Sequence, residues 1–253
     1  MLSRLVLQTL AAGALALGAA VPAQAAETSV AVAANFTDAA NEIAQAFRDR
    51  TGHEAVLSFG STGQLYAQIT QEAPFEVFLA ADDERPEKAE DEGFAVPGSQ
   101  FTYATGRIVL WSKDPKLVQG EATLRKDGFT RIAIANPITA PYGAAAVQAM
   151  QALGVYDRLE PKIVQGNNIA QTYQFVETEN AELGFVALSQ VASGNEGSRW
   201  VVPAELHETI RQDAVLLGKG AKSEAARAFI GFLKGPEAAA IMQRYGYGSA
   251  ASS

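Results

Sequence analysis

The chain has 253 residues, enough for two lobes of ordinary size, with 28 acidic against 20 basic residues and a net charge of −8. That balance argues against a nucleic acid or an anionic membrane surface as partner. With no cysteine, and with His53 and His207 as the only histidines, thiolate chemistry, cysteine-held metals and disulfides are excluded, and a serine nucleophile has no evident base.

Residues 1–25 read as a secretory signal: a basic start at Arg4, an apolar run from Leu10 to Val21, and Ala23-Gln24-Ala25 as a small-x-small cleavage site. The mature chain is expected to begin near Ala26. No later stretch is long and apolar enough to cross a bilayer, so the exported protein is expected to be soluble.

From Val30 to Ile69 one device occurs twice: a short apolar run, small polar residues, then a helical pattern. In the first copy Val30, Val32 and Ala34 read as a strand, Asn35 as an N-cap, and Ala39, Ile43 and Phe47 recur at helical spacing. In the second, Ala55 to Phe59 read as a strand, and Gly60-Ser61-Thr62-Gly63 opens a helix that carries Leu65 and Ile69. Taken singly, Asn35 and Ser61/Thr62 are ordinary caps. Taken together, two helix starts facing one point make an anion site without a cationic side chain, because each presents unpaired N–H groups and the positive end of its dipole.

Glu76 to Ala81 is a further strand pattern, and Asp82-Asp83-Glu84-Arg85-Pro86 starts a charged helix with little apolar face. Without a neighbouring histidine or a spaced ligand set, the acidic run reads as a solvated helix start rather than a metal site. Arg107 to Ser112 and Arg131 to Ala135 read as strands, and the alternation of strands with helices predicts an α/β fold with mostly parallel sheets. The opening device then returns. Asn136 to Gly143 leads into an Ala-rich helix with Pro141 at its first position and Tyr142 in its first turn, either packed or offering its hydroxyl. After Lys162 to Gln165, Gly166-Asn167-Asn168-Ile169 opens another helix with Asn168 as a plain cap, and Leu183 to Leu188 follows as a strand. The end of the chain reads as a strand from Val215 to Gly218, a helix from Ser223 to Leu233, the break Lys234-Gly235-Pro236, and a helix from Glu237 to Tyr247. Tyr245 and Tyr247 read as packing residues rather than phenolate ligands of a metal.

Five segments together resemble the periplasmic molybdate-binding proteins of ABC-type importers. They are Ala34-Asn35-Phe36-Thr37, Ser58 to Gly63, the turn from Asn136-Pro137 to Pro141-Tyr142-Gly143, Gly184 to Leu188, and Leu233 to Pro236 with Gly246-Tyr247. The resemblance implies a two-lobed, type II solute-binding fold, with residues 26–104 and 213–253 in lobe 1 and 105–212 in lobe 2. Chain crossings are expected near Tyr103 to Arg107 and Arg211 to Val215. It implies oxyanion contacts from Ala34, Asn35, Ser61, Thr62, Tyr142 and the backbone N–H of Ile169. Asn35 stands where many members carry Ser, and Ala187 where some carry a Tyr that touches the anion. The implied function is capture of molybdate, or tungstate, in the periplasm by a monomer that delivers it to a membrane permease, with no cofactor and no directly ligated metal. Sulfate and ferric iron are the alternative solutes.

Overall fold

The computed structural model describes residues 25–248 apart from 193 and 195, so all of the signal segment but Ala25 lies outside the described residues. Two five-stranded sheets flanked by helices make two lobes. The first lobe starts with β1 (Glu27–Ala33), α1 (Thr37–Thr51), β2 (Glu54–Gly60), α2 (Thr62–Thr70), β3 (Val77–Leu79), α3 (Glu84–Asp91) and β4 (Phe101–Gly106). The second contains β5 (Ile108–Ser112), β6 (Ile132–Ala135), α4 (Pro141–Ala152), α5 (Tyr156–Leu159), β7 (Ile163–Gly166), α6 (Ile169–Glu177), β8 (Leu183–Ala187), α7 (Leu188–Val191) and β9 (Ser198–Val201). The chain then returns to the first sheet as β10 (Ile210–Leu216) and ends in α8 (Glu224–Leu233) and α9 (Pro236–Arg244).

The strand orders are β2-β1-β3-β10-β4 and β7-β6-β8-β5-β9. In each sheet the first three strands of that order pair in parallel and the fourth, β10 or β5, runs antiparallel to both its neighbours, so each sheet is mixed, with four of its five strands running one way. The parallel neighbours are joined by long crossover connections, usually helical, which α1, α2, α4 and α6 supply or share, while the chain passes from β4 in the first sheet to β5 in the second through Arg107 alone. β10 begins at Ile210, earlier than the apolar run from Val215 suggests, because its first half is polar and is held by pairing with β4.

Packing fixes these elements. Ala39, Ile43 and Phe47 of α1 are buried against Phe229 and Leu233 of α8 and Ile241 of α9. Phe47 meets Phe229 edge to face at 5.2 Å, and truncating such a core aromatic costs about 3–5 kcal/mol. Leu65 and Ile69 of α2 cover the other face of the sheet with Phe75 and Phe78. In the second lobe Tyr142, Leu110, Ile132 and Phe185 share one core, which also takes in Ala33, Ala34 and Ala81 from the first. These small residues at strand ends let the two lobes meet.

Candidate functional site

The strand-to-helix junctions of both lobes converge on one cavity, lined by all of Ala34, Asn35, Ser61, Thr62, Tyr142 and Ile169. It is small, with about 10 Å³ of room for the centre of a water molecule. Among the described residues no Asp, Glu, Lys or Arg lines it. The lobes touch beside it: Gly63 donates its N–H to the Thr139 carbonyl at 2.9 Å, and Arg85 donates to the Ile138 carbonyl at 3.1 Å. Glycine at position 63 eases this contact, since a Cβ would come within 3.1 Å of the Thr139 backbone.

Ser61 occupies the N-cap position of α2, yet its hydroxyl makes no cap bond. The side chain is buried, 3 % exposed, and its oxygen has no hydrogen-bond partner. A buried hydroxyl left in that state costs roughly 1–3 kcal/mol, and its proton is unused. Thr62 is differently committed. Its oxygen accepts the Ala81 N–H at 3.0 Å, which leaves the hydroxyl proton free.

Asn35 does not cap a helix, contrary to the sequence reading. It lies inside a 3-10 turn, Ala34–Phe36, and the positions that precede this turn and α1 are Ala33 and Phe36, neither with a side-chain cap. Its amide is drawn away by stronger partners: Nδ2 donates to Gln212 at 2.9 Å and to the Tyr247 hydroxyl at 3.2 Å. Asn35 lines the cavity with both its amide protons engaged elsewhere, in the same turn as Ala34. In α6, Asn168 caps the Gln171 N–H at 2.9 Å as expected, so Ile169 and Ala170 keep amides with no helical acceptor.

Tyr142 is 1 % exposed. Its oxygen accepts from Gln212 Nε2 at 3.1 Å and more weakly from Asn35 Nδ2 at 3.5 Å, so its own proton is left over for the cavity. Burial pushes its pKa well above the usual tyrosine value, with nearby Tyr247 adding to the shift, and the phenol stays a neutral donor. Ala187 is buried at the end of β8 and does not line the cavity.

Three residues behind this shell were not legible as site residues. Gln212 and Tyr103 come from the antiparallel strands β10 and β4, and Tyr247 from the chain end; all are buried and hydrogen-bonded into one network. Tyr247 does pack, edge to face on Phe36, but its hydroxyl also donates to the Asn35 carbonyl at 2.6 Å, which Ser189 of the other lobe reaches at 2.8 Å. Among the described residues no group of three or more His, Asp or Glu is placed to hold a metal ion.

The family model described as "Bacterial extracellular solute-binding protein" matches residues 28–248. The chain belongs to this family. As a solute-binding protein it is not an enzyme. It is 55 % identical over 244 residues to the molybdate-binding protein ModA of Rhodobacter capsulatus, covering 95 % of this chain and 97 % of the relative. It is also 55 % identical over 251 residues to ModA of Azotobacter vinelandii, covering 98 % of both. The solved structure of the Azotobacter vinelandii periplasmic molybdate-binding protein superposes with a TM-score of 0.85 at 42 % identity, over 87 % of this chain and 98 % of the other. The two-lobed solute-binding fold is therefore shared across nearly the whole described chain.

Proposed function

We propose that this solute-binding protein captures molybdate between its lobes, held by Ala34, Asn35, Ser61, Thr62, Tyr142 and Ile169. The observation that carries the reading is the donor-only shell around the unpartnered Ser61 hydroxyl: Ser61, Thr62 and Tyr142 each have a proton to give, beside helix-start amides and no carboxylate. A fully deprotonated tetrahedral dianion offers only acceptors and matches such a shell without a counter-charge. Hydrogen phosphate brings a hydroxyl that is best served by a carboxylate acceptor, and no Asp or Glu lines the cavity. Sulfate shares the donor match, and the 55 % identity to proteins named for molybdate favours the metal oxyanion over sulfate and over ferric iron. Tungstate, of the same charge and shape, is the natural second ligand.

Donors from the first lobe (Ser61, Thr62) and the second (Tyr142, Ile169) are both needed to complete the shell, so the bound anion favours the closed arrangement and its binding drives closure about the crossings beside Arg107 and Ile210. The closed form is what a membrane permease of an ABC importer reads. The protein acts as a periplasmic monomer after cleavage of its signal, and molybdenum arrives inside the oxyanion rather than ligated by side chains. Thermal melting tests the ligand. At a hundredfold excess over Kd, molybdate stabilises by about 2.7 kcal/mol, which at roughly 2–4 °C per kcal/mol raises Tm by about 5–11 °C. Sulfate raises it less and phosphate not at all; equal shifts from phosphate and molybdate would overturn the proposal.

A further inference from the structure

We infer that Gln212 is a positioning residue that sets the hydrogen-bond polarity of the site, making Tyr142 an obligate donor and so favouring fully deprotonated oxyanions. The inference rests on the reading of this cavity as an oxyanion site. Tyr247 has one proton, and its nearest acceptor is the Asn35 carbonyl at 2.6 Å. The Tyr247 oxygen is thereby left to accept, and what faces it at 3.2 Å is Asn35 Nδ2. This turns the Asn35 amide so that its second proton reaches Gln212 Oε1 at 2.9 Å. A glutamine whose carbonyl faces Asn35 must turn its NH₂ the other way, and Nε2 accordingly donates to the Tyr142 oxygen at 3.1 Å. The orientation of both amides follows from this chain of single-proton choices. At its end the Tyr142 proton has no acceptor within the network and is available only to a ligand.

The backbone is arranged around this contact. The pairing of β10 with β4 shifts register between Gln212 and Asp213, a bulge of the kind that re-aims a side chain. On β4, Gly106 lies directly against the pair: a Cβ there would stand 2.3 Å from the Tyr142 oxygen and 2.6 Å from Gln212 Nε2. Gln212 itself is fully buried, and its Oε1 also lies 3.0 Å from the Tyr103 hydroxyl, so both ends of the amide are occupied. Gln212 touches the network and does not line the cavity, which makes its effect on binding indirect.

The test is calorimetry with sodium molybdate and, by competition, with hydrogen phosphate, on wild type, Gln212→Met, Tyr142→Phe and the double variant. Methionine keeps the length and removes both polar ends, so the Tyr142 hydroxyl is free to turn and accept. Gln212→Met should lower the molybdate-to-phosphate affinity ratio by at least roughly tenfold, the scale of one hydrogen bond to a charged group. In the Tyr142→Phe background the same substitution should change the ratio far less. Proportional weakening of both anions, or equal effects in both backgrounds, would overturn the inference and leave Gln212 a structural residue. Should Gln212→Met not fold, Gln212→Glu keeps the shape: its ionised carboxylate accepts the hydrogen bond from the Tyr142 hydroxyl, molybdate affinity falls, and it recovers as pH is lowered and the carboxyl regains a proton. Unchanged affinity in Gln212→Glu would equally overturn the inference. Failure of the wild type to bind molybdate would instead refute the proposed function.

Discussion

Ser61→Ala separates a structural role from a binding role by sign. In this structure the Ser61 oxygen is buried without a partner, a condition that costs roughly 1–3 kcal/mol. Removing it relieves that cost and leaves a void no larger than one oxygen atom, since the adjoining cavity gives the centre of a water about 10 Å³. The ligand-free variant should therefore be as stable as wild type or slightly more so. Binding should move the other way. A lost hydrogen bond to a charged acceptor is worth about 1.5–3 kcal/mol, a roughly 10- to 150-fold weaker Kd for molybdate. Denaturant unfolding of the stripped protein and calorimetry with molybdate read the two effects separately. A destabilised variant with unchanged affinity would refute the reasoning, because it would show that the hydroxyl serves the fold.

Thr62→Ala should weaken molybdate binding and also lower stability, since the Ala81 N–H loses its acceptor, while Thr62→Asp should abolish binding by placing a carboxylate at a helix start that receives a dianion. Calorimetry decides, and an Asp variant that binds as wild type does would contradict the placement of the site. Tyr103, Tyr142 and Tyr247 all have their phenols pushed above the ordinary value of 10.0, in each case first by burial. Folding therefore favours their neutral forms, and that contribution to stability is complete below the unfolded value and is lost as pH rises above it. Tm followed against pH should fall on the alkaline side of about pH 10, and a Tm unchanged to about pH 11 would show that these hydroxyls are not held protonated.

The six residues that the family resemblance singled out line one cavity, and they lie where a local pattern recurs: the end of a short apolar strand, small polar residues, the start of a helix. Ser61, Thr62 and Ile169 stand where that pattern places them, and Asn168 caps as its type suggests. Asn35 departs from that pattern. Its residue type fits an N-cap, but partners far along the chain, Gln212 and Tyr247, hold its amide inside a 3-10 turn. Gln212 and Tyr103 carry no local signal, since a polar residue on a half-polar strand looks exposed until antiparallel pairing buries it. For the same reason β4 and β9 escaped the apolar-run criterion. Tyr247 reads correctly as packing, and only the folded chain brings its hydroxyl to Asn35.

The central claim is that a tetrahedral metal oxyanion sits between the lobes on uncharged donors, and anomalous diffraction at the molybdenum edge from crystals grown with molybdate addresses it directly. The account predicts one strong peak in the cavity between Ser61, Thr62, Tyr142 and Ile169, with anion oxygens about 2.7–3.1 Å from the Ser61 and Tyr142 hydroxyls. A peak elsewhere, or anion oxygens that leave Ser61 unpartnered, would contradict it.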